Sequence, residues 1–215
     1  MSDFSDFEME GEVLEELDSG VWLSIGDLMS GLLMFFALLF ITVMVQLKNY
    51  QEAFDKLPLA ILNTLRQEVP GGDKLEVDPK TGDVSIPDAI LFDEDSAELK
   101  PAGKQFLIGF IPVYSKVIFS NDEFDQMITR VIIEGHTSSS GTEKENMNLS
   151  LQRALSVSDY ISSLNFSTRS QFKYKILAAG RGELDANQKI DSPADRKVVF
   201  RFQLRSPDWG NLFGK

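Results

Sequence analysis

The sequence predicts an α+β protein: one N-terminal membrane-spanning helix, then a mixed sheet with helices packed on one face. Three observations carry this. Residues 21–47 are apolar almost throughout, with Asp27 as their sole charge. Residues 73–205 alternate between strand-like and helix-like apolar patterns. Pro70-Gly71-Gly72 punctuates the chain before that second stretch.

The elements follow in chain order. Residues 1–20 form an acidic tail, expected to be mobile until it meets a partner. They lack the basic start of a signal peptide. The run 21–47 reaches about 40 Å as a helix, more than the hydrocarbon core of about 30 Å. Trp22 and Tyr50 lie near its ends, where interfacial aromatics belong. Residues 48–72 form a connector. Tyr50, Phe54, Leu57, Ile61 and Leu65 recur at helical spacing, and Pro58 is expected to break or kink that helix. The segment reads as a plug or a dimer clamp.

Residues 73–205 form the second domain, and 206–215 a short C-terminal tail. KLEVD and VSIP flank a turn and read as a hairpin. ILF at 90–92 reads as a short strand. Pro101 opens a helix that Pro112 is expected to interrupt. Residues 127–137 read as a buried strand, 143–164 as a helix, 172–180 as a strand and 196–204 as a final strand.

Composition excludes several function classes. The net charge is −12, and residues 1–47 hold nine acids with no Lys or Arg. Residues 48–215 are near balance, with 24 acids and 21 bases. No basic stripe exists to neutralise phosphates, so nucleic acid is not an expected partner. There are no cysteines and one histidine, which removes thiolate chemistry and ordinary zinc sites. No paired carboxylates, triad or metal cluster suggests an enzyme, and no cofactor is expected.

Asp27 is the sharpest single signal. It sits about one and a half turns into the span, where an ionised carboxylate costs on the order of 2.5–3.5 kcal/mol. Such residues mark ion pathways by default. Ser24, Asp27 and Gly31 share one helix face, a stripe suited to close packing or a wet channel wall. The competing reading is a carboxylate that snorkels to the interface or bonds a partner helix. One helix cannot enclose a pore, so an ion path needs a second copy or a multi-span subunit.

The second signal is a motif in residues 132–161, IIEGHTSSSGTEKENMNLSLQRALSVSDYI. Gly135-His136-Thr137, then Asn146, Leu149, Ser150, Arg153 and Ala154, closely resemble the core of the OmpA-like peptidoglycan-binding domain. AAGRGE at 178–183 and ADRKVVFRF at 194–202 resemble that family's later turn and closing strand. The resemblance covers about residues 85–205. It implies recognition of the diaminopimelate stem of peptidoglycan. Arg153 then holds the ligand's carboxylate, and Asn146 and Leu149 line the site. The family's aspartate, which holds the ammonium, is Ser138 here, and Glu143 or Glu145 are candidate substitutes. His136 reads as a loop-satisfying residue. For Arg153, a surface ion pair is the competing reading.

The whole arrangement resembles a MotB-type stator subunit. More narrowly, GDLMSGLLMFFALLF and the chain length resemble the ZorB-type membrane subunits of Zorya anti-phage defence systems. That resemblance implies a homodimer beside a MotA-like (ZorA-like) multi-span partner and anchorage to peptidoglycan. Asp27 is then the ion-conducting residue. It also implies the bacterial inner membrane, with a cytoplasmic N-terminus and a periplasmic domain. Lys48 and Lys56 after the span point the other way if read alone. A flagellar stator subunit and a non-conducting wall anchor are the alternatives.

Overall fold

The computed structural model describes residues 3–119 and 122–205; the side chains of 3–20, 49, 50, 52–55 and 123 are outside that description. The chain divides into two compact units, Met1–Gln51 and Glu52–Lys215. Helix α1 (Asp3–Glu68) begins within the acidic tail. Within the first unit, Val21–Lys48 is a 28-residue stretch long and apolar enough to cross a membrane. Its large side chains are exposed, Trp22, Leu28 and Phe36 among them. Ser30 and Thr42 donate to the carbonyls of Gly26 and Leu38, each at 2.8 Å. Bonds one turn back satisfy these hydroxyls within the helix itself. The side chains of Tyr50 and Phe54 lie outside the described residues, as does the C-terminal tail.

The second unit begins before the Gly-rich boundary. Leu57, Ile61, Leu65 and Val69 are buried among the core residues of the sheet domain. The apolar stripe of the expected plug is therefore a wall of the domain from Leu57 onward. Pro58 lies inside α1 and does not end it. Its Cα lies 3.3 Å from the site a Cβ on Gly82 would occupy, so proline and hairpin pack tightly. Burial of the flanking stripe, about 1.5–3 kcal/mol per large apolar side chain, offsets the lost helix bond.

Strands β1 (Glu76–Val77) and β2 (Val84–Pro87) form the expected hairpin. Then come α2 (Asp88–Leu91), α3 (Pro101–Ile118), α4 (Asp122–Met127) and β3 (Ile128–His136). Helices α5 (Glu143–Ser163) and α6 (Arg169–Lys175) precede β4 (Ile176–Gly182) and β5 (Lys197–Leu204). The sheet order is β1-β2-β5-β3-β4. Only β3 and β4 run parallel; the other pairs are antiparallel, so the sheet is mixed.

Register decides which side chains face the helices. Ile133 pairs with Phe200 and Gly135 with Val198, and these point to the core. Phe200 meets Phe110 and Tyr114 of α3 edge-on, at 5.1 and 5.6 Å. Alternation turns Ile132, Glu134 and His136 to the other face, opposite Arg201, Val199 and Lys197. Arg201 there bonds Asp83 at 2.9 Å and pairs with Glu134 at 3.2 Å.

Three local expectations fail, each for a physical reason. Residues 88–91 are helical, and a backbone bridge joins Phe92 to Leu99. An apolar run of three carries no usable period. Helix α3 continues through Pro112, because Leu107, Phe110, Ile111 and Tyr114 anchor both of its halves in the core. The alternation Phe172-Lys173-Tyr174-Lys175 mimics a strand, yet it is the end of α6. Phe172 sits among Tyr114, Phe119 and Phe166, while Tyr174 is 89% exposed.

Candidate functional site

The glycines of β3 and β4 let helix α5 come down onto the sheet. A Cβ on Gly135 would stand 2.0 Å from the Ser150 carbonyl oxygen. One on Gly180 would stand 2.8 Å from the Leu151 nitrogen. The Ser150 hydroxyl closes this contact by accepting from the Gly182 amide at 2.9 Å. The approach fixes how α5 presents Asn146, Leu149 and Arg153.

Thr142 and Glu145 form a capping box at the start of α5. The Thr142 hydroxyl accepts from the Glu145 amide, and the Glu145 carboxylate accepts from the Thr142 amide, both at 3.3 Å. Gly141 before it has φ +99, a conformation open to glycine at low cost. Asn146 donates to the Ser140 carbonyl at 2.9 Å and also to the Glu183 carboxylate. It thereby ties the loop after β3 to the turn after β4.

A cleft of about 470 Å³ opens beside this loop. Ser138, Asn146, Leu149 and Arg153 all line it, so the fold brings together the four residues expected to form the peptidoglycan site. Glu143 and Glu145 do not line it, and Glu145 is held by the cap.

Arg153 is not a surface ion pair: it is 2% exposed. Its Nε donates to the Ser96 carbonyl at 2.9 Å, and Nη1 lies 3.1 Å from an Asp88 carboxylate oxygen. The guanidinium also lies over the Phe92 ring, 5.3 Å from its centroid. Burial pulls its pKa below the ordinary arginine value, against the opposing pull of Asp88 and Asp95. It remains a cation at any physiological pH.

The far wall was not anticipated. Asp88, Phe92, Asp93, Glu94, Asp95 and Lys100 come from the segment between β2 and α3. Arg196, just before β5, adds another base 3.9 Å from Asp88. The run FDEDSAE was visible in the sequence, but nothing in it signals a contact with a helix more than fifty residues away. His136 is buried on the other sheet face, 3.6 Å from Glu134 and 3.5 Å from Asp185, and takes no part in the cleft.

Asp27 belongs to the first unit, where it is exposed on α1. Among the described residues, no group of His, Cys, Asp and Glu could hold a metal ion.

Comparison with known proteins agrees with this geometry. Residues 91–199 match the model of the OmpA family. A Zorya protein of Escherichia coli, ZorB, is 34% identical over 214 residues, which spans 87% of this chain and 89% of that protein. The crystal structure of a MotB-like protein from Desulfovibrio vulgaris superposes with a TM-score of 0.51. It is 19% identical and covers 74% of this chain and 99% of its own, a likeness of fold.

Proposed function

The chain belongs to the ZorB family of Zorya proteins and carries an OmpA-family domain, and on that premise we propose that it is the wall-anchored stator subunit of an ion-driven membrane motor serving anti-phage defence. Two copies stand within a ring of a multi-span, MotA-like partner of the ZorA type. Asp27 of each copy takes up and releases protons or sodium ions where the two kinds of subunit meet. The N-terminus lies in the cytoplasm and the sheet domain in the periplasm of the inner membrane. There the cleft grips peptidoglycan, so the partner ring turns around a fixed shaft.

The observation that carries this reading is the pairing, in one chain, of a lone carboxylate on a 28-residue apolar stretch with the Arg153 cleft. A tether alone has no use for a carboxylate in hydrocarbon. In the cleft, a planar guanidinium locked by Ser96, Asp88 and Phe92 suits a carboxylate of the diaminopimelate stem. One elementary charge crossing 100 mV supplies about 2.3 kcal/mol, enough to bias a conformational step.

The test is phage plating on cells carrying the native gene cluster, with wild type or Asp27→Asn at matched membrane levels. The substitution keeps the shape and removes the titrating group. Loss of protection with intact assembly supports the ion-driven motor. Full protection leaves the chain as a non-conducting anchor. Rescue of swimming in cells lacking their own flagellar stators, without phage protection, identifies a flagellar stator instead.

A further inference from the structure

We infer that His136 positions the binding loop from behind the sheet: a proton on its imidazole ties the turn after β4 to β3, and so sets how firmly the loop 137–141 is held at the cleft. The inference rests on the wall-binding reading and adds to it a control by pH.

Loop and turn are joined as one unit. The Thr137 amide donates to the Gly182 carbonyl at 2.9 Å, and the Ser139 hydroxyl donates to the Asn187 carbonyl at 3.0 Å. Asn146 bonds both the Ser140 carbonyl and the Glu183 carboxylate. Ser138, between these contacts, lines the cleft. A register shift at Gly135–His136 places the imidazole where β3 ends and the loop begins. From the same turn, Asp185 reaches back to that imidazole.

The imidazole stands between two carboxylates. Its Nε2 lies 3.6 Å from Glu134 on the strand, and its Nδ1 lies 3.5 Å from Asp185 on the turn. His136 is 4% exposed, and neither Nε2 nor the Glu134 oxygen facing it closes a hydrogen bond. A neutral imidazole has one N–H and cannot donate to both acids. With Nε2–H turned to Glu134 in either state, the Nδ1 lone pair of the neutral ring faces the Asp185 carboxylate, a repulsive contact. A proton at Nδ1 converts this into a charge-assisted bond between strand and turn.

The surrounding charges leave room for that proton. On this face stand Glu134 of β3, Arg181 of β4, Asp185 of the turn, and Lys197 and Arg201 of β5. The β1–β2 hairpin adds Glu76, Asp78, Lys80 and Asp83 around the same cavity of about 590 Å³. Five acids thus meet four bases, and one proton on His136 balances the cluster. Arg181 beside Asp185, and His136 and Arg201 beside Glu134, hold both carboxyls below their ordinary ranges, so these acids stay charged at neutral pH. Histidine is the side chain that exchanges its proton between about pH 5 and 8, and His136 is the chain's single one.

The experiment is co-sedimentation of the full chain, in detergent, with isolated sacculi at about pH 5.5 and about pH 8. Wild type should bind about threefold more tightly in acid. His136→Gln should bind equally at both, because its amide does not titrate. Asp185→Asn, at a side chain about half exposed, keeps the imidazole and should also lose the response, because a carboxamide is no anion for an imidazolium to hold. Thermal melting at each pH checks that both variants fold. Equal binding by wild type at the two pH values, or an acid response that survives in either variant, overturns the inference and leaves the wall-binding reading intact. Failure of wild type to sediment at either pH removes both.

Discussion

Gly135→Ala is the sharpest test of how the cleft is built. The new Cβ would stand 2.0 Å from the Ser150 carbonyl oxygen, with two more backbone atoms of Ser150 at 2.7 and 3.0 Å. Ordinary contact needs about 3.5 Å, so α5 must retreat by about 1.5 Å or the strand must bend. No flexible side chain can absorb this, because every close atom is backbone. The cost is about 3 kcal/mol, the upper end for overpacking in a core. For a chain of this size that lowers the midpoint of thermal unfolding by about 6–12 °C. Gly180→Ala should cost about half as much, since its nearest contacts begin at 2.8 Å and include side-chain atoms. The assay is thermal unfolding of the full chain in detergent by circular dichroism, followed by co-sedimentation with sacculi. Both stability and sedimentation should fall for Gly135→Ala, because α5 carries Asn146, Leu149 and Arg153. Melting within about 2 °C of wild type would refute the claim that backbone contact sets the helix height.

Tyr114→Phe should stabilise the domain by about 1 kcal/mol, because the buried hydroxyl has no partner and its removal leaves the ring stack with Phe110 intact. A lower melting point for Tyr114→Phe would show that the hydroxyl is satisfied. Arg153→Ala should weaken co-sedimentation with sacculi, and Ser138→Asp should strengthen it by adding a carboxylate to the cleft wall. Unchanged pull-down by Arg153→Ala would remove that residue from the site. Glu134 gives a pH signature. The His136 imidazole, 3.6 Å away, and the Arg201 guanidinium hold its carboxyl below the usual glutamate range against the effect of burial. A lowered folded pKa confers stability above the unfolded value, and that stability is lost as pH falls through the folded one. The melting gap between wild type and Glu134→Gln should therefore be full at pH 7 and close below about pH 4. A gap that widens with acid would overturn this assignment.

The broad plan is written in local pattern. An unbroken apolar run with one acid, the hairpin around residues 79–83 and the strand 128–136 are local patterns, and they were legible because period and length suffice to read them. The motif around Gly135 and Arg153 pointed to a binding domain, and its four lining residues do meet in one cleft. Other features depended on tertiary contact. Phe172-Lys173-Tyr174-Lys175 alternates as a strand would, and only the aromatic cluster around Phe172 makes it helical. Leu57, Ile61 and Leu65 show a helical stripe in any setting, but nothing local says that the stripe covers the domain's own core. Asp88 and the 93–96 turn are silent in sequence, because their meaning is a contact with an arginine 57 residues from Ser96. Periodicity reports which face of an element is apolar, whereas the partner of that face is chosen by the whole chain at once.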